Sequence, residues 1–133
     1  MVSHVMIGAV DLAAAKTFYD AVLGTLGIEP GREQSFQPDA FFYNGTRFGI
    51  CTPINGAMAT HANGGTIGFA ARTRRQVDAF HAAGLAHGGI CAGPPGKRPK
   101  APGRAYAAYL RDPTGNKICC ICQLRLADWE AEG

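Results

Sequence analysis

Apolar and polar positions change their period several times along the chain, and each change marks an element. Residues 3–9 begin polar and then alternate apolar positions, which predicts a short strand. Asp11 offers a side-chain oxygen to cap a helix, and Ala15, Phe18, Tyr19, Val22 and Leu23 follow at i, i+3, i+4, i+7 and i+8. That spacing is one buried helical stripe, which Gly24 and Gly27 end. Residues 32–37, 41–43 and 47–52 read as strands, with Pro38-Asp39 and Asn44-Gly45 as the turns between them. The pattern then recurs. Residues 66–71 predict a strand, Thr73 a helix cap, and Val77, Phe80, His81, Gly84 and Leu85 the same helical stripe. Near the C-terminus, two buriable runs flank Asp112-Pro113-Thr114-Gly115, a hairpin turn by its chemistry. On the returning strand, alternation places Ile118, Cys120 and Cys122 on one face and Lys117, Cys119, Ile121 and Gln123 on the other.

The recurrence is in register. The spacing from His4 to Phe18 equals that from Thr66 to Phe80, Gly27 matches Gly89, and Gly45 and Gly115 precede equivalent final strands. The expected organisation is a single domain spanning 1–133, made of two βαβββ modules (2–58 and 65–126) joined by a connector at 58–64. Neither module alone covers both faces of its strands, so the fold class is α+β, with two small mixed sheets side by side, each backed by a helix. At 133 residues and 47% hydrophobic, the chain suffices for one core and is too short for two ordinary domains. A net charge of +3 implies no nucleic-acid partner, and no stretch is apolar enough to span a membrane. With no secretory pattern at the N-terminus, a cytoplasmic protein is expected. Five cysteines, an odd number in strand positions, fit reduced and buried thiols better than a disulfide framework.

Several stretches resemble the vicinal oxygen chelate superfamily, the group of glyoxalase I, extradiol dioxygenases and bleomycin-resistance proteins. They are His4-Val-Met-Ile-Gly-Ala-Val-Asp11, Phe18-Tyr19 with Val22-Leu23-Gly24, Asp112-Pro-Thr-Gly-Asn-Lys-Ile118, and the repeat itself. The resemblance implies a glyoxalase-like fold in which the sheets curl around a cleft, and it implies a homodimer. Metal-binding members place a ligand on the first and last strand of each module, and the matching positions here are His4, Gly49, Thr66 and Cys119. Of these only His4 is a typical ligand. Glycine has no donor, a neutral hydroxyl binds poorly, and Cys119 binds only as a thiolate. No cofactor is therefore expected, a divalent metal on an altered site being the alternative.

His4 reads either as a strand residue hydrogen-bonded in the cleft or as a substrate contact. Cys119 is a candidate nucleophile with His4 as its available base, although no third orienting group is evident. His81, on a buried stripe, reads as a core histidine, and Cys120 and Cys122 as core residues. Phe42, Tyr106 and Tyr109 are candidates to line a pocket, with Thr66 beside them. Residues 92–104, rich in proline and glycine, read as a long loop, and Arg98 and Arg104 in it suit a carboxylate or phosphate. A solvated rim is the plainer account of the same charges. The tail Asp128-Trp-Glu-Ala-Glu132 is acidic, with Trp129 available to dock on a sheet or a dimer mate. The expected function is binding of a small, partly apolar or anionic molecule without the usual full metal site. The alternatives are a metal-dependent glyoxalase-like lyase or isomerase, or a dioxygenase, with a rebuilt site, and a dimerising module that binds nothing.

Overall fold

The computed structural model describes residues 1–131, so Glu132 of the acidic tail lies outside the described residues. The chain forms β1 (Val5–Gly8), α1 (Leu12–Gly24), β2 (Arg32–Gln34), β3 (Gln37–Tyr43) and β4 (Phe48–Cys51). It then repeats the order with β5 (Ile67–Ala70), α2 (Arg74–Ala86), β6 (Ile90–Lys97), β7 (Ala105–Arg111) and β8 (Lys117–Gln123), and closes with α3 (Leu126–Glu130). The strands make two four-stranded mixed sheets in the orders β1-β4-β3-β2 and β5-β8-β7-β6. In each sheet the first and last strands of the module run parallel and the remaining pairs antiparallel. The fold is α+β in two tandem modules, and neither sheet closes on itself. No helix among the described residues is long and apolar enough to cross a membrane.

Local chemistry accounts for the helices. The Asp11 carboxylate accepts the Ala14 amide at 3.0 Å, and Thr73 Oγ1 accepts that of Gln76 at 3.1 Å. All five stripe residues of α1 are buried, at about 1.5–3 kcal/mol for each large apolar side chain. On α2, Val77, Phe80, His81 and Gly84 are buried but Leu85, the last position of the predicted stripe, is not: it is 48% exposed.

One turn assignment and one loop assignment change. Pro38 and Asp39 lie inside β3, and the chain reverses instead at 35–36, where the β2–β3 pairing shifts register. Asp39 keeps a positive φ of 55°, so its sequence signal marks an irregular strand rather than a turn. Residues 92–97 of the expected long loop form most of β6. Proline is tolerated there because β6 is an edge strand, and its pairing slips between Gly93 and Gly96, where Pro94 and Pro95 lie. Asn44-Gly45 does turn the chain, with φ of 53° and 70°.

The modules share one core. Its buried members come from both halves, and the principal contact between modules is α1 against α2. Phe48 meets Phe69 edge-on at 5.1 Å across the join. The Asp112 turn is tied into the first module: Tyr19 donates its hydroxyl to Asp112 Oδ2 at 2.7 Å, and Asn116 Nδ2 donates to the Gly8 carbonyl at 3.0 Å. The tail docks on its own second sheet, since Lys97 on β6 donates to the Trp129 and Ala131 carbonyls and its ammonium lies 5.7 Å from the indole.

Candidate functional site

Each sheet has a helix-facing side and an open side, and alternation decides which residues reach the open one. On β1, Val5 and Ile7 pack on the core, so His4 and Met6 share the open side. On β8, Ile118, Cys120 and Cys122 are buried in the core, leaving Lys117, Cys119, Ile121 and Gln123 opposite, as their alternation predicts. Register brings Met6 beside Gly49, Phe42 beside Gly49, Gly68 beside Cys119, and Tyr109 beside Cys119.

The open side of the first module forms a recess of about 150 Å³ lined by His4, Met6, Phe36, Gln37, Phe42 and Thr46. His4 is exposed at its rim, with Nδ1 2.7 Å from Ser3 Oγ. Met6 fills the space over Gly49: a Cβ at position 49 would stand 2.4 Å from its Sδ and 3.1 Å from a Phe42 ring carbon. The second module inverts this arrangement. There the last strand carries the larger residue and the first strand the glycine, with Cys119 Sγ 3.2 Å from where a Gly68 Cβ would be. Each floor is closed by sulfur over glycine.

The open side of the second module is dominated by Tyr109. Arg98 lies 5.5 Å and the Lys117 ammonium 5.2 Å from its ring centroid, each contact worth about 0.5–1 kcal/mol when exposed. Gly93 makes room for the ring, because a Cβ there would sit 3.2 Å from Tyr109 Cδ1. The Arg98 guanidinium is held by the Pro94 and Lys97 carbonyls, and with Pro99, Lys100, Ala101 and Tyr109 it lines a recess of about 480 Å³. Lys117 carried a legible signal, two residues from Cys119 on the same strand face, yet sequence reasoning gave it no role. A further recess of about 380 Å³ follows β2 at the outer edge of the first sheet and includes, of the predicted residues, only Phe42.

The predicted residues thus separate. His4 and Phe42 belong to the first open face, whereas Arg98, Tyr109 and Cys119 belong to the second, and Thr66 is exposed immediately before β5. Tyr106 turns the other way. Paired with Cys122, it packs toward α2, donates its hydroxyl to Asp78 Oδ1 at 2.7 Å, and has its pKa pushed up to about 12 by burial and by that carboxylate. Arg104 is a strut: its Nε donates to the Leu124 carbonyl at 2.7 Å and its amide to Gln123 Oε1, fastening the chain end to the β7 entrance.

These donors do not suit a catalytic metal ion. Gly49 offers no ligand and its space is taken by a thioether, Thr66 is an exposed neutral hydroxyl, and burial pushes the Cys119 thiol up, only partly offset by Lys117. Among the described residues no group of three or more His, Cys, Asp or Glu is placed to hold an ion. The same raised pKa keeps Cys119 a thiol near neutrality, and His4 stands in the recess of the other module.

Comparison with known proteins places this geometry. Residues 1–120 match the family model described as Glyoxalase/Bleomycin resistance protein/Dioxygenase superfamily. The chain is 56% identical to a glyoxalase/bleomycin resistance protein from Albidiferax ferrireducens T118, whose crystal structure superposes with a TM-score of 0.85 over 92% of this chain and 99% of that one. A glyoxalase-related enzyme from Fulvimarina pelagi shares the fold at 20% identity (TM-score 0.71, 92% and 88% of the two chains). So does a lactoylglutathione lyase from Agrobacterium tumefaciens at 21% (TM-score 0.60, 92% of each). No curated protein matches the chain.

Proposed function

Because the chain belongs to the Glyoxalase/Bleomycin resistance protein/Dioxygenase superfamily, we propose that it binds a small, partly apolar anion on its open sheet faces and does so without a tightly held metal. The observation that carries this reading is the Tyr109 ring, paired with Cys119 across the strands, with Arg98 and Lys117 both within 5.5 Å of its centroid. An aromatic face flanked by two cations suits a planar group bearing a carboxylate: the ring takes the apolar part and the guanidinium takes the oxygens. The thiol and thioether floors add polarisable, weakly polar surface.

The working unit of this reading is a homodimer. Within one chain the strands of the two sheets do not pair, and the modules join through α1 and α2, so the His4 recess and the Tyr109 recess are lined by separate modules. A second copy bringing its Tyr109 face to the His4 face of the first completes a cleft of the size a small ligand needs.

Isothermal titration with a panel of aromatic carboxylates and their neutral amides tests the ligand class. Carboxylates are expected to bind, amides to bind at least about tenfold more weakly, and Arg98→Ala to remove that difference together with most of the salt dependence. Equal binding of acid and amide sinks the anionic reading. In parallel, protein loaded with zinc, nickel, iron or manganese and then desalted is expected to retain less than one ion per chain. Stoichiometric retention would favour a metal-dependent lyase or dioxygenase instead.

A further inference from the structure

Away from both open faces, the second module holds a thiol and an imidazole in contact. Cys91 lies on β6, the outer strand of its sheet, and is exposed. Its Sγ stands 3.1 Å from Nε2 of His81, which is 8% exposed and fixed on the inner stripe of α2. The other four thiols are placed differently. Cys119, Cys120 and Cys122 are buried, and half-buried Cys51 lies 3.6 Å from the Ile7 carbonyl. We propose that Cys91 is a nucleophilic thiol served by His81 as its base, open at the sheet edge to small disulfides and other soft electrophiles.

The chemistry balances with a small disulfide as co-reactant. The Sγ proton passes to His81 Nε2 as Sγ attacks one sulfur of the disulfide. The S–S bond breaks, and the departing sulfur takes the bonding pair and then the proton from His81. A free thiol leaves and a mixed disulfide stays on Cys91, which is oxidised while the departing half is reduced. The base must be neutral at rest, and its surroundings favour this. Burial lowers the His81 pKa, against the smaller opposing pull of Asp78 three residues earlier on α2. Other groups around that helix include Arg74 and Arg75 at its start, His87 at its C-terminal cap with Nδ1 2.8 Å from the Ala83 carbonyl, Tyr106 on β7, which is bonded to Asp78, and Cys122 on β8. On α1, Lys16 pairs with Asp20 and Tyr19 with Asp112.

Time-resolved labelling with iodoacetamide, read by peptide mapping between about pH 5 and 9, tests the assignment, with oxidised glutathione as the disulfide probe. In the folded wild-type chain Cys91 is expected to label first, and at pH 7 about tenfold faster than in the same chain unfolded in urea. Its rate should fall only below about pH 6.5, whereas an unassisted thiol gains rate toward its ordinary pKa of about 8.5. His81→Gln should return the folded-state rate to the unfolded value, and oxidised glutathione should leave one mixed disulfide at Cys91. Equal rates in the folded and unfolded wild-type chain, an inflection only near pH 8.5, or faster labelling of another cysteine overturns the proposal. The wild-type comparison decides the matter even if His81→Gln fails to fold, and it is independent of any ligand on the open faces.

Discussion

Asp112 carries more of the structure than any other polar residue of the hairpin. Its Oδ1 accepts the amides of Thr114, Gly115 and Asn116, each at 2.9 Å, while Oδ2 accepts Tyr19 and Asn116, and the side chain is 4% exposed. Asp112→Ala strands those donors in a buried place and is expected to cost about 3 kcal/mol or more, read as a lower urea midpoint with an unchanged slope. A loss under about 1 kcal/mol would mean that water replaces the carboxylate. His81 gives a pH dependence with a definite sign. Burial depresses its folded pKa below the unfolded value of about 6.5, so the stability from keeping it neutral is present above pH 6.5 and is lost as pH falls toward the folded value. The melting temperature should therefore drop between about pH 7 and 5 in the wild type and drop less in His81→Gln. Parallel curves would contradict this assignment. Asp20 has the acidic counterpart. Burial alone would raise its pKa, but hydrogen bonds from the Gly31 amide, the Lys16 ammonium and the Tyr43 hydroxyl outweigh that and hold it down, so its contribution fades only as pH falls through the low folded value.

Among the elements, α2 shows how a glycine can be required where helix propensity argues against it. Gly84 lies on the inner stripe, and a Cβ there would stand 2.4 Å from Cδ1 of Leu110 on β7, a side chain with no exposed surface in which to retreat. Gly84→Ala gains about 1 kcal/mol of helix propensity, but overpacking of about 1–3 kcal/mol is set against it, so a net loss is expected. In a Leu110→Ala background the same change should become stabilising, and a double-mutant cycle in urea measures the reversal. If Gly84→Ala stabilises both backgrounds equally, the helix does not press on β7 as described. The same size matching recurs within the paired parallel strands, with Met6 over Gly49 and Cys119 beside Gly68.

For the whole molecule, the decisive feature is that the two open faces belong to different modules joined through their helices. If two chains complete each cleft, light scattering should give twice the chain mass at micromolar concentration. Complementation is the sharper measurement. His4→Ala and Tyr109→Ala chains, each weak in ligand binding alone, should recover about a quarter of the wild-type sites when mixed and allowed to exchange, because half the dimers are mixed and each of those has one intact cleft. Recovery of none, with exchange shown by mass spectrometry, would place the cleft within one chain.

The repeat, both capped helices, the Asp112 hairpin and the inward direction of Ile118, Cys120 and Cys122 were all legible from spacing, because these depend on local periodicity and turn chemistry. The residue types at His4, Gly49, Thr66 and Cys119 could also be read there, but that these are the positions to compare came from the family resemblance and not from any pattern in the chain. Other features required the tertiary structure. The two cations over the Tyr109 ring, Tyr106 turned to Asp78, Arg104 serving as a strut, and Cys91 against His81 all depend on strand register and on a bulged edge strand. Register joins residues far apart in the chain, and a slip of one residue moves every side chain to the other face, so no local pattern could have placed them.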